Sequence, residues 1–548
     1  MERFFKRPWL IVGAIGLVTL FFALQLPRAR LDNNNFRFVP EKDPERVRSA
    51  RIDETFGSQT MILIGLEREF GTVLEGDFLT RLRSLDRALR EIDIVDSVAS
   101  IVSTDYIDAQ GDAIRASALI PEDFSGTPGE IALLREKLLD WDIYRRALVS
   151  DDFSSTQIVI SLGVGSDEAG TPPVLESYRT ILRLAEEAGF PSTSIYAAGL
   201  PVVSAEVNAA TAKDLVFLVP LVVIVLLVVF FLSFKRASSV LMPLLTVAVS
   251  ATWAIGAMPL FGISLSILST VLPVILLAVG SAYGIHVVSH YYEEAAQRKS
   301  LSEEEHRLLV FAVLKRIGWP VFLAALTTFV GFASFCFTSV VPIREFGIFS
   351  SFGVMAAFGV SLTLLPALFI IRGPERARPK AWGKHYERVG EDPMSASIAD
   401  ALGAVVRKKR TTLAVAAAII AVSIWGLSRM VIDNVLVEYF KPYTQVARSD
   451  AFIREKFGGT KAVSLVVKGR TPGDVLRPEV LAAVDGLASY LKAKVPEVGK
   501  ITGFTDMIKR VNQVMNADAD PSGLPRKAAS APIPESGAGG GAAGAEPA

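Results

Sequence analysis

The chain has 548 residues, of which 51% are apolar and 21% charged, and its mean hydropathy is +0.39. Lysine and arginine balance aspartate and glutamate at 57 each, which gives no footing for a nucleic-acid partner. A single cysteine, Cys336, rules out an internal disulfide, and no segment matches a nucleotide-binding loop, so neither a disulfide framework nor an ATP-hydrolysing enzyme is expected.

Seven stretches in chain order are nearly free of charge: about 8–26, 215–234, 239–260, 264–288, 319–340, 346–371 and 411–428. As a helix, about 20 apolar residues match a hydrocarbon core of about 30 Å. Helices are also the required form there, because backbone polar groups in lipid must bond within their own segment. The first stretch follows Arg3, Lys6 and Arg7 and ends in Leu26-Pro27-Arg28 without a small-x-small cleavage site, so it reads as an uncleaved anchor.

Between the first and second stretches, residues 31–211 read as a mixed α/β domain. Strands are predicted at 59–66, 95–101, 155–163 and 194–198, and amphipathic helices near 77–91 and 172–188. That order is a ferredoxin-like split βαβ arrangement with an insertion over 103–154. Further along, Ser302 with Glu305 forms a capping-box pattern ahead of Leu308, Leu309, Phe311 and Val313, which predicts an amphipathic surface helix over 302–318. The 373–410 connection holds Arg376, Arg378, Lys380, Lys384, Arg388 and the Arg407-Lys408-Lys409-Arg410 cluster. By the positive-inside rule it is cytoplasmic, in agreement with Lys235-Arg236 and the basic N-terminus, and this puts 31–211 outside.

An internal repeat follows. A shift of 401 positions lays Asp32-Asn33 on Asp433-Asn434, Ala50 on Ala451, Ile52 on Ile453, Glu54 on Glu455 and Phe56-Gly57 on Phe457-Gly458, and the register persists to Ile107 on Ile508. The seventh stretch therefore opens a second copy of the unit that begins at the first. That copy is expected to supply a strand at 461–468, a helix at 477–493 and a strand at 497–503, followed by an Ala/Gly/Pro-rich disordered tail. The predicted organisation is then 1–30 N-terminus and first span, 31–211 external α/β domain, 212–372 a bundle of spans two to six, 373–410 basic connection, 411–430 seventh span, 431–517 partial second domain and 518–548 tail.

Ordered motifs now carry a family resemblance. They are Gly199-Leu200-Pro201 with Asp214-Leu215, Leu272-Pro273 ahead of Gly280-Ser281-Ala282-Tyr283-Gly284-Ile285-His286, Ala325-Leu326-Thr327-Thr328-Phe329 with Gly331-Phe332, and Pro342-Ile343-Arg344-Glu345-Phe346-Gly347. Over about residues 1–517 the chain resembles the resistance-nodulation-division exporters, in their hydrophobe/amphiphile efflux and mycobacterial-large-membrane-protein branches. The resemblance implies a multi-pass protein of the bacterial inner membrane with a periplasmic porter domain, and proton-driven export of lipidic or amphiphilic molecules. It also implies a complete molecule of twelve helices, so that self-association or a complementary C-terminal half is the expected partner beside membrane lipid. No cofactor is implied. Exporters of this kind carry an Asp before the Tyr in the fourth span, whereas Ala282 precedes Tyr283 here.

The candidate relay residues are His286, one turn from Ala282 on the same helical face, together with Tyr283 and Ser281 and, on the next span, Thr327 and Thr328. His286 and His290 have the i, i+4 spacing of a metal pair but no third ligand accompanies them. Asp214 is read as the residue that begins the second span, stabilising its N-terminus or gating substrate. Arg344 and Glu345 are expected to pair with the porter domain as gating residues. Two alternatives to transport stand beside it: a lipid sensor built on a sterol-sensing-like bundle, and a half-transporter acting as an assembly partner.

Overall fold

The computed structural model describes residues 6–40, 42–110, 113–165, 168, 170–234, 237–298, 301–374, 393–430 and 436–516. Arg3, Lys235, Arg236, Arg376, Arg378, Lys380, Lys384, Arg388, the Asp433-Asn434 pair and the 518–548 tail lie outside the described residues. The chain opens with α1 (Pro8–Ala23), α2 (Pro44–Phe56), β1 (Met61–Glu67), α3 (Gly76–Arg90), β2 (Val95–Ala99), β3 (Asp105–Gln110), β4 (Ala113–Ala118), α4 (Pro128–Asp140), β5 (Ser155–Leu162), α5 (Pro172–Glu187) and β6 (Ile195–Ala198). It continues through α6 (Leu200–Phe234), α7 (Ala237–Leu260), α8 (Leu272–Ala296), α9 (Glu303–Ala333), α10 (Val341–Arg372), α11 (Pro393–Arg407), α12 (Lys409–Leu427), α13 (Gln445–Phe457), α14 (Pro478–Lys494) and α15 (Phe504–Met515). Two compact units divide this chain, one of Met1–Thr60, Val164–Glu176 and Leu200–Tyr439, the other of Met61–Gly163, Ser177–Gly199 and Phe440–Ala548.

The first unit is helical. Among the described residues seven helices are long and apolar enough to cross a membrane: those starting at Pro8, Leu200, Val240, Ser269, Glu303, Val341 and Lys409. Helices α7, α8, α9 and α10 pack on one another, and their core joins Leu276, Tyr283, Val287 and Val288 to Val313, Val354, Ala357 and Leu365. Helix α1 lies against α7 and α10, where Trp253 Nε1 donates to Thr19 Oγ1 at 3.0 Å. Prolines stand inside α6 (Pro220), α7 (Pro243, Pro259), α9 (Pro320) and α10 (Pro366) without ending those helices. Inside a packed bundle, neighbouring helices and local hydroxyls re-satisfy the backbone that a proline frees.

Two expectations change here. The 302–318 segment does carry its capping box, with Ser302 and Glu305 exchanging hydrogen bonds, but it is the first half of a continuous 31-residue helix. Its Leu309, Val310, Val313, Leu314 and Ile317 are buried in the bundle core rather than laid on a surface, which holds the helix through Gly318 and Pro320. The second span likewise starts earlier than its charge-free stretch suggested, because α6 is helical from Leu200.

The second unit holds a four-stranded antiparallel sheet in the order β2-β5-β1-β6. Ile62, Ile64 and Leu66 of β1 and Ile158, Ile160 and Leu162 of β5 are all buried, the period-2 pattern that puts one side of each strand into a core. Leu79, Leu82, Leu85 and Leu89 of α3 and Ile181 of α5 are buried at helical spacing. The insertion forms the β3-β4 hairpin and α4. Sequence positions of all four strands and both helices match the expected ones within two residues.

The repeat reappears as geometry. Helices α2 and α13 share bounds at the 401-residue offset, and each stops at a glycine of positive φ, Gly57 at 86° and Gly458 at 87°. Helix α13 packs on β1 and β6: Phe452 stacks on Tyr196 with ring centroids 3.8 Å apart, and Ile453 and Phe457 are buried with Ala198. Gly65 makes this approach possible, since a Cβ there would lie 2.9 Å from Phe452 Cε1. Helix α15 docks on the hairpin through Arg510, which bonds the Tyr106 hydroxyl at 2.7 Å and the Ile107 carbonyl at 3.0 Å and pairs with Asp140 at 2.6 Å.

The expected helix at 477–493 is α14, but 461–468 and 497–503 are not strands. Their first-copy counterparts are β1, held between β5 and β6, and β2, held beside β5, and a strand exists only when a neighbour takes its backbone groups. Among the described residues 461–468 joins neither sheet, and Val463 and Leu465 are 85% and 66% exposed.

Candidate functional site

Helix α8 carries most of the candidate residues, and its glycines decide which way each one faces. Gly280 lies where a Cβ would meet Ala357 Cβ at 3.1 Å, and Gly284 where it would meet Pro243 Cβ at 2.8 Å. The glycine face is therefore pressed against α7 and α10, an arrangement of small residues that lets helix backbones approach within a bilayer. On this face and beside it, Ser281, Tyr283, Val287, Val288, Tyr291 and Tyr292 are buried. Ala282 and His286 fall on the opposite, exposed face.

That split separates the residues proposed to work together. His286 and Ala282 do share a face, but Tyr283 points into the bundle. The Tyr283 hydroxyl is buried without a formed hydrogen bond, and the Thr328 hydroxyl is the polar group that interacts with it. Ser281 Oγ donates to its own helix at Ala278 O, and Thr327 and Thr328 both donate to Ala324 O. Thr327 is exposed. Ser281, Thr327 and Thr328 thus each back-bond within their own helix, and Tyr283 with Thr328 is the one polar approach between α8 and α9 among these candidates. His290 Nδ1 lies 3.0 Å from Glu293 Oε2 on the same helix, while His286 has no such partner among the described residues.

Asp214 is corrected as a helix-start residue. It stands about four turns inside α6, exposed, too far from the first turn for the N-terminal dipole to act on it. Glu345 pairs with the 31–211 region as expected, through Arg37, in a segment that belongs to the helical unit and not to the sheet. Both its carboxylate oxygens accept from Arg37 Nη2 at 2.8 Å, and Arg37 Nη1 lies 3.3 Å from Asp32. Arg37 belongs to the segment just after α1, so this partly buried triad ties that segment to the start of α10. Beside it Leu265 N donates to Arg30 O and Asp32 N to Leu265 O, at 2.8 and 2.9 Å. Arg344 is half-buried and adds its positive charge near Glu345.

At the other end of α8, sequence reasoning missed a buried pair. Tyr291 Oη and His306 Nε2 are 2.7 Å apart, His306 is 1% exposed, and Phe369 stacks on Tyr291 at 4.0 Å. His306 sits four residues past the Ser302 cap, a spacing that marks a helix start and not a site. Arg37 and Glu345 are separated by 308 positions, so no local pattern could join them.

The fold and these helices define a polytopic helical membrane protein. Residues 83–396 match the family model described as the MMPL family, which covers more than half of the chain, and the chain belongs to that family. A protein of Methanocaldococcus jannaschii, named only as a membrane protein, is 23% identical over 67% of this chain and 91% of its own length. The hopanoid transporter HpnN of Rhodopseudomonas palustris is 33% identical over 32% of this chain and 20% of its own length. The transport protein MmpL10 of Mycobacterium leprae is 22% identical over 71% of this chain and 37% of its own. The match thus spans nearly all of the archaeal protein and a minor part of the other two.

Proposed function

We propose that this chain is a transporter of lipidic or amphiphilic molecules, working in a bacterial inner membrane with its N-terminus in the cytoplasm. Its sheet domain is read as a ferredoxin-like porter domain on the outer side. The observation that carries this reading is the family match, which runs from the sheet domain through α10, with relatives named as transporters of hopanoid and as transport proteins. Substrate enters from the outer leaflet beside the bundle, and rocking of α6–α10 moves it outward, with Asp214, Arg344 and Glu345 as gating residues. No covalent chemistry is involved. The exposed apolar side chains of Val463, Leu465 and Val467 support association with a second polypeptide that covers them.

Proton coupling rests on His286 and Tyr283, which face different ways, and Ala282 supplies no carboxylate. This favours a second reading, a lipid sensor that binds without moving its ligand. Reconstitution into liposomes with an imposed pH gradient and a fluorescent lipid separates the two. Gradient-dependent movement, abolished in His286→Gln, supports proton-driven transport. Binding with no gradient-dependent movement supports the sensor and refutes transport.

A further inference from the structure

Along one face of α6, Ser204, Asn208 and Thr211 follow at i, i+4 and i+7, the spacing that stacks side chains into a single stripe. Asn33, from the segment after α1, meets this stripe, its Nδ2 3.4 Å from Thr211 Oγ1. Asn33 and Ser204 are 3% and 0% exposed. Asn33 Oδ1, Asn208 Oδ1, Asn208 Nδ2 and Ser204 Oγ are all buried with no hydrogen-bond partner in the protein. Buried polar groups in folded proteins are paired, and a cluster of four open ones marks a place where a ligand supplies the partners.

The chemistry of the cluster is neutral. The four open atoms, on two carboxamides and one hydroxyl, offer both donors and acceptors and no charge. Glu206 and Lys213 project from the far side of the helix, about half a turn from the stripe. Asp32, next to Asn33, is already held by Arg37 at 3.3 Å. Towards the middle of α6 the same face turns apolar, with Leu215, Leu218, Val222, Val225 and Val229 continuing the spacing. Leu218, Val225 and Val229 are exposed there.

We infer that this stripe is a binding site for an amphiphile whose headgroup is uncharged and rich in hydroxyl or amide groups, its tail lying along the apolar continuation of α6. The inference rests on the transport reading for its biological setting and names the headgroup class that reading leaves open. Four open neutral groups reward a polyol or amide and give an anionic phosphate no counter-charge.

The test uses the full chain in phosphatidylcholine nanodiscs and two photoreactive lipids with identical diazirine-bearing tails, a monoglucosyl diacylglycerol and a phosphatidylglycerol. Wild type labels α6 peptides with the glucolipid about tenfold more than with phosphatidylglycerol at equal mole fraction. Asn208→Leu removes that preference, and the near-isosteric Thr211→Val, which keeps the helix packing, weakens it. Equal labelling by both lipids in wild type, or an unchanged preference in a folded Asn33→Leu/Asn208→Leu variant, overturns the assignment and leaves the stripe as a hydrated structural feature. Binding is read without a gradient and without movement across the bilayer. A failed transport assay therefore does not touch this result, and loss of the headgroup preference does not touch transport.

Discussion

Removing the Arg510 guanidinium should release α15 from the β3-β4 hairpin. The side chain is 4% exposed, bonds the Tyr106 hydroxyl and the Ile107 carbonyl, pairs with Asp140, and lies 5.0 and 5.7 Å from the Tyr106 and Trp141 rings. Charge-assisted hydrogen bonds contribute about 1.5–3 kcal/mol and a partly desolvated cation–π contact about 0.5–2 kcal/mol. Asp140 is 40% exposed and can rehydrate once its partner is gone, so the penalty for an orphaned buried charge is small. The net loss in Arg510→Ala is about 2–3 kcal/mol, which speeds amide hydrogen exchange in 504–515 roughly 30- to 150-fold while β1 and β5 keep their protection. Burial opposes ionisation of Asp140, yet the hydrogen bonds from Tyr106 and Arg510 outweigh it and hold this carboxyl below the usual range. Burial and the bond to Asp140 push Tyr106 up to about 12. A lowered carboxyl stabilises above its ordinary pKa and a raised phenol below its own, so protection of α15 should be flat from about pH 4 to 10 and fall outside that window. Unchanged exchange in Arg510→Ala would refute the reasoning.

Three other outcomes follow from the same contacts. Arg37→Met strips the mostly buried Glu345 of its hydrogen-bonded partner and should cost about 3 kcal/mol, read as a lower thermal unfolding midpoint in detergent, whereas Arg37→Met/Glu345→Leu recovers most of it; losses of the two single variants that simply add in the double would show the pair to be uncoupled. Gly284→Leu forces α8 away from Pro243 and should destabilise the bundle by about 1–3 kcal/mol, and a wild-type midpoint would mean that the helices have room to spare. At α13, Phe452→Ala should expose 445–457 to exchange at a cost of about 3 kcal/mol. Lys456→Met, which removes a partly exposed ion pair to Asp152, should cost less than about 1 kcal/mol; the reverse ranking would make docking electrostatic.

What the sequence disclosed was whatever repeats locally. Spans were visible as charge-free runs, β1 and β5 as alternating Ile and Leu, and the Ser302 cap as a four-residue pattern. What escaped depended on partners distant in the chain. Residues 461–468 have the composition of a strand, but composition cannot say whether a neighbour will pair with it. Gly318 and Pro320 read as a break, and only the burial of Leu314 and Ile317 shows why α9 runs on. Asp214 looked like a helix start because the charge-free run began after it, whereas the polar turns before it, from Leu200, are helical too. For α8 the residues were located but not their directions: the glycines that face α7 and α10 turn Tyr283 inward and His286 outward, and that depends on which helices lie alongside.

The prolines within α6, α7, α9 and α10 give the bundle a mechanical grain. Each lacks an amide hydrogen, so the carbonyl one turn earlier loses its partner along the axis and the rod can flex there at little cost. Pro243 bears directly on Gly284, so a bend in α7 is felt by α8 at a contact with no side chain to cushion it. Bending of these helices is therefore easiest at the prolines, with fully hydrogen-bonded segments between them.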